Sequence, residues 1–212
     1  MRKGCDINEE SLREAIGTVA PGMEAEEFDR NFRVAVNKRG GTTFYGRDGY
    51  SAAGGFHPTF NKGDLITTAA LTTYKRYNND LARTFVLGPP TKKQLTLHNS
   101  MVMAFENLDK LIKPGVHTHK IFEAIPRTVE KHGGRPDRLA VYVHGIGLDW
   151  VEQDHHQRQP GFVLEPNMVF CVFMVQSVPE DGGGIFIEEQ IIVTEDACEQ
   201  METITRELVE IG

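Results

Sequence analysis

The chain lacks the marks of several common protein classes. Of its 212 residues only three are cysteine, Cys5, Cys171 and Cys198. They are too few and too scattered for a disulfide framework, and no Cys-x-x-Cys pair suggests a structural zinc. No apolar run approaches the ~20 residues of a membrane-spanning helix. The basic start, Met1-Arg-Lys-Gly-Cys-Asp6, has no apolar segment behind it and does not read as a secretory signal. Positive charge is also scarce: 23 Lys and Arg stand against 30 Asp and Glu, a formal net charge of −7. That balance argues against a nucleic-acid or anionic-membrane surface. A cytoplasmic protein with reduced thiols is expected, with neither nucleic acid nor membrane as a partner.

What is present is close to an average globular composition, with 40% hydrophobic and 25% charged residues. The length fits one domain of good size, taken as residues 1–212. Helical spacing of apolar residues predicts helices over about Ile7 to Thr18, Glu24 to Lys38, Thr91 to Ile112 and Thr118 to Lys131. A glycine-rich stretch from Thr42 to Phe60 reads as short strands and turns. A long extended run covers Leu65 to Tyr74, is interrupted at Asn78-Asn79, and resumes from Leu81 to Leu87. Asp181-Gly-Gly-Gly184 reads as a hairpin turn.

The pattern occurs twice. Ala20-Pro21-Gly22-Met23 matches Lys113-Pro114-Gly115-Val116, and Gly40-Gly41 matches Gly133-Gly134, at a constant offset of 93 residues. The expected architecture is therefore α+β: two helix–helix–strand–strand halves, about 1–90 and 91–212, related by pseudo-twofold symmetry around a common sheet. A site is expected where the halves meet.

The richest stretch is Val141-Tyr-Val-His-Gly-Ile-Gly-Leu-Asp-Trp150. It places His144 at a strand end, with Gly145 and Gly147 allowing close approach. A histidine so placed is a metal ligand, a general base, or a satisfied core residue.

Together these motifs resemble the creatinase/methionine aminopeptidase/Xaa-Pro peptidase family and its curved "pita-bread" antiparallel sheet. The resemblance rests on the Pro-Gly-Met junction, Gly63-Asp64, Asn79-Asp80-Leu-Ala-Arg83-Thr84-Phe85, His144-Gly-Ile-Gly-Leu148, Leu164-Glu-Pro-Asn-Met-Val169 and Ile187-Glu188-Glu189-Gln190. Metal-dependent members hold two ions with two Asp, one His and two Glu. The resemblance puts three of these ligands on Asp80, His144 and Glu188. The other two positions fall on Ala69 and Phe173, which cannot bind metal. The implied cofactor is one divalent metal (Mn, Fe, Co or Zn), or none if the chemistry is creatinase-like.

The implied catalytic residues are His144, His57 and Glu188, with Arg83 and Trp150 binding substrate. Arg83 otherwise reads as a partner of Asp80 or Glu188, or as an exposed strand residue. His117 and His119 read as helix-start or solvent-facing residues, and His155-His156 as a polar loop that could line the pocket mouth. The resemblance implies a hydrolase of small amide, peptide or amidine substrates, working as a homodimer. The alternatives are an inactive binding module and a dimethylsulfoniopropionate lyase-like enzyme, to which Val143–Trp150 and Glu188-Glu189-Gln190 also bear likeness.

Overall fold

A computed structural model describes residues 1–43, 57–152, 154–155 and 161–212. Most of the glycine-rich stretch, and His156, lie outside the described residues. Two helices open the chain, α1 (Arg2–Ile16) and α2 (Ala25–Lys38). Helix α1 starts five residues before the expected Ile7. Gly4, a poor helix former, sits inside it, because a Cβ there would lie 2.2 Å from the Asn79 side-chain nitrogen. The missing side chain lets α1 lie against the sheet.

Short strand β1 (Thr42–Thr43) precedes the hairpin of β2 (Leu65–Tyr74) and β3 (Tyr77–Leu87). The break expected at Asn78-Asn79 falls instead at Lys75-Arg76, whose φ values of 49° and 74° form a two-residue turn. Both asparagines are already in β3. Asn79 accepts the Cys5 thiol at 3.4 Å, so its amide serves packing rather than a turn.

Helices α3 (Lys92–Leu111) and α4 (His119–Lys131) begin the second half. Thr91 and Gln94 form a capping box at the start of α3, which satisfies two otherwise orphaned N–H groups. His117 and His119 stack at the start of α4, with ring centroids 4.7 Å apart. Strands β4 (Leu139–Gly145), β5 (Asp154–His155), β6 (Val169–Val178), β7 (Gly183–Val193), β8 (Cys198–Gln200) and β9 (Val209–Ile211) complete the sheet. Gly182, at φ 100°, turns β6 into β7 as expected for the glycine run.

The strand order is β1-β2-β3-β7-β6-β4-β5, with β8 beside β7 and β9 beside β3. The halves join at the antiparallel pair β3–β7, where Ala82 faces Glu188. Each half has its own apolar core on the helix-covered side. Ile66, Ala70 and Leu81 pack with α1 and α2, while Val143, Val172 and Ile187 pack with α3 and α4. No helix among the described residues is long and apolar enough to cross a membrane.

The helix side of the central pair also buries charge. Arg83 is 1% exposed. Its five N–H groups go to the carbonyls of Ala82, Glu188, Ile204 and Thr205 and to Glu189 Oε1. Glu189 is also bonded by Arg206, which reaches on to Asp109 of α3. With every donor used, Arg83 has none left for a substrate. The expected binding role is corrected to a structural one. Arg83→Leu should cost about 3–5 kcal/mol in urea denaturation, because it strands the remaining buried polar groups.

His98 of α3 is fully buried, and neither ring nitrogen has a hydrogen-bond partner among the described residues. Burial, with help from the Arg83 charge, pushes its pKa from 6.5 down to about 4. The unfolded chain therefore binds the extra proton below pH 6.5, and the native chain only below about 4. Stability should fall as pH drops through that window, by roughly 3 kcal/mol from this residue. His98→Leu should remove that share of the slope in denaturation curves taken between pH 7 and 4.

Candidate functional site

Side chains on a strand alternate between faces, so the register reports which residues share the open side of the sheet. One row crosses five strands: Ala69, Ala82, Glu188, Phe173 and Tyr142 are successive cross-strand partners. The next row on the same face contains Leu71 opposite Asp80, and Gln190 opposite Cys171 opposite His144. Ala69, Leu71, Asp80, Tyr142, His144, Phe173 and Glu188 of these two rows line a cavity of about 460 Å³. Tyr142, Trp150, Phe173 and Phe186 wall it with aromatic surface, and Asp80, Glu188 and His144 supply its carboxyls and imidazole.

These three side chains meet although each is almost fully buried. His144 Nε2 lies 3.3 Å from Glu188 Oε1. Strand β6 runs between β4 and β7, so this contact passes across Cys171. His144 Nδ1 lies 3.1 Å from the Gly145 carbonyl oxygen, which can only accept, so Nδ1 carries the hydrogen. Asp80 Oδ2 accepts the Trp150 indole N–H at 2.6 Å, whereas Oδ1 has no hydrogen-bond partner among the described residues.

Burial pushes the Glu188 carboxyl from 4.5 up to about 8. Burial and then the neighbouring Glu188 charge drive Asp80 well above the ordinary carboxylate range, against the Trp150 hydrogen bond. Two carboxyls this close in a dry site cannot both ionise cheaply, so they share a proton or a cation.

Trp150 is held by a loop pinned at both ends. Asn78 donates through its backbone and side chain to the Gly147 carbonyl, and through its side chain to that of Leu148. Glu152 accepts the N–H groups of Leu148 and Asp149. A Cβ at Gly147 would sit 2.6 Å from Glu152 Oε1, so a side chain there would displace the Glu152 carboxylate that holds the loop.

His57 is not at this site. Its Nε2 donates to the Gly182 carbonyl at 2.7 Å, and its Nδ1 lies 3.5 Å from Asp64. Gly183 stands five residues before Glu188 on β7, roughly 17 Å along the strand. The catalytic role expected of His57 is corrected accordingly: it ties the far end of the hairpin. Cys171, unmarked in the sequence as a site residue, is present instead. The ligand atoms of His144, Cys171 and Glu188 all lie within 4.8 Å of one another. Its parity with Phe173, two residues along β6, was the available signal.

Residues 1–195 match the metallopeptidase family M24. The Xaa-Pro dipeptidase of Pyrococcus furiosus is 26% identical over 99% of this chain and 62% of its own length. The ectoine hydrolase of Halomonas elongata is 31% identical over 70% of this chain and 38% of its own. Among solved structures, the X-Pro aminopeptidase of Thermotoga maritima superposes with a TM-score of 0.84 at 21% identity, over 99% of this chain and 61% of that one. This chain therefore spans about three-fifths of the length of such relatives. The duplicated pita-bread fold implied by the motifs is the fold they share, and the chain belongs to metallopeptidase family M24.

Proposed function

We propose that this chain is a hydrolase that cleaves a C–N bond in a small amide, peptide or amidine substrate, at the cavity floored by Asp80, His144 and Glu188. The observation that carries this reading is their meeting, buried, at the floor of a cavity with aromatic walls. Such a cavity excludes water from an apolar substrate body and places polar groups only where the reacting bond would lie. The named activities of the similar proteins, Xaa-Pro dipeptidase and ectoine hydrolase, are of this class.

The residues fit one cation better than two. Ala69 has no ligand atom. The Phe173 ring stacks on Tyr142 at 4.5 Å and meets Phe186 edge-on at 5.5 Å, filling its position with apolar surface. One cation suits what remains: an Asp80 Oδ1 with no hydrogen-bond partner among the described residues, and a His144 Nε2 lone pair opposed to a carboxylate oxygen. His144 and Glu188 would hold the ion, with Asp80 beside them. When bound, a divalent metal would polarise a carbonyl or amidine carbon and make its bound water more acidic. Trp150 fixes the Asp80 carboxyl, the Gly145 carbonyl fixes the His144 tautomer, and the aromatic walls orient the substrate.

Metal-loaded protein should release amine from a panel of Xaa-Pro dipeptides, ectoine and simple N-acyl amino acids, followed by mass spectrometry. His144→Ala should lower kcat/KM at least about 100-fold. Unchanged turnover in that variant, or an inert panel, would sink the hydrolase assignment. The double variant Ala69→Asp/Phe173→Glu should raise bound Mn or Co from about one to about two equivalents per chain, because it restores the two lost carboxylate ligands. An unchanged single equivalent would show that these positions do not set the metal count.

A further inference from the structure

We infer that Cys171 is a ligand of the single metal, so that His144, Cys171 and Glu188 form a nitrogen–sulfur–oxygen site selective for zinc-like ions. The inference deepens the one-metal reading above and rests on it.

Three observations support it. First, the three ligand atoms lie within 4.8 Å of one another, all three residues are buried, and two of them, His144 and Glu188, line the cavity. Ligand atoms around a tetrahedral zinc stand roughly 3.5 Å apart, so only a modest closure is needed. Second, the His144 Nδ1–H is already engaged by the Gly145 carbonyl, which leaves the Nε2 lone pair facing Glu188, another of the three ligands. Metal-bound histidines characteristically donate their other N–H to such a partner. Third, Gln190 is the cross-strand partner of Cys171 and lies on the same face. Its Oε1 is taken by the Asp80 N–H, while its buried Nε2 has no hydrogen-bond partner among the described residues. A spare amide donor on the residue paired with Cys171 suits a thiolate, a stronger acceptor than a thiol.

The chemistry differs from an all-oxygen-and-imidazole set. A thiolate is a soft ligand and shifts preference from Mn towards Zn and Co. Binding replaces the S–H proton by the metal, and the proton leaves to solvent. Three protein ligands leave a fourth position open for water or substrate, the arrangement of a catalytic rather than a structural zinc. Asp80 stays outside the set, held by Trp150.

The test is anaerobic loading with Co²⁺, read by absorption and by metal content. One bound equivalent with a thiolate-to-cobalt charge-transfer band in the near ultraviolet is expected. The band should persist in Cys5→Ala/Cys198→Ala, which leaves Cys171 as the sole cysteine, and vanish in Cys171→Ser. Cys171→Ser should also weaken Zn²⁺ binding, measured against a chromophoric chelator, by at least about 10-fold. The band in the double variant is diagnostic even if Cys171→Ser does not fold. Bound cobalt without that band, or a band that survives Cys171→Ser, would overturn the cysteine ligand and leave the one-metal reading standing. No bound cobalt at all would overturn both.

Discussion

The site depends on the buried ion pairs that join Glu189 to Arg83 and Arg206. A lone carboxylate in this position would cost several kcal/mol of lost hydration. Here two guanidiniums compensate it, and one of them is bonded to backbone carbonyls of both β3 and β7. The pairs therefore fasten the two halves together on the helix side. Strand alternation does the rest. With Glu189 fixed towards the helices, Glu188 must face the cavity. With Arg83 on that same side, Asp80, three residues earlier, must face the cavity too. The contrast between the faces is chemical as well as geometric. The helix side supplies cations for its acid, whereas among the described residues no Lys or Arg pairs with Asp80 or Glu188, and the basic group that Glu188 meets is the His144 imidazole. The cavity floor is short of positive charge by construction, which is the condition for taking up a proton or a metal.

Much of this was legible in the sequence because periodic elements advertise themselves. The spacing of Phe28, Phe32 and Val36 placed α2, and the Pro-Gly and Gly-Gly punctuation exposed the duplication. Asp80, His144, Glu188 and Trp150 came from motif resemblance, and they do share one cavity. The failures have physical reasons. Asn78-Asn79 is the commoner turn signal, yet Lys75-Arg76 takes the left-handed backbone while the asparagine amides bind a loop and a helix that lie far away in sequence. Arg83 stands an odd number of residues from Asp80, so parity alone separates it from the floor. His57 lies near the glycine run in space, a long-range fact that its local sequence does not carry. Cys171 was read only as a reduced thiol, although it shares parity with Phe173.

The two positions without carboxylates belong to one row of the sheet, on either side of Ala82 and Glu188. Their replacements have opposite effects. Alanine opens space at β2, and phenylalanine fills it at β6. The result is a floor whose polar atoms concentrate in the second row, from Asp80 to His144, with Glu188 reaching into it. An aromatic ring next to His144, its centroid 6.5 Å from the imidazole, lowers the local polarity. Lower polarity strengthens whatever charge interaction the floor makes with a bound group.

Trp150 shows how the parts are made to depend on each other. Its ring is a wall of the cavity and its N–H donates to Asp80. Its loop is secured by Asn78, which lies on the same strand that carries Asp80 two residues later. Wall, carboxyl and loop are thus fixed to a single stretch of β3. Movement of that stretch would shift all three together and preserve their mutual geometry, while His144 and Cys171, carried by β4 and β6, keep theirs through direct strand pairing. The floor is then two rigid groups meeting at Glu188. A ligand that bridges His144 and Glu188 would lock the two halves of the sheet at that point.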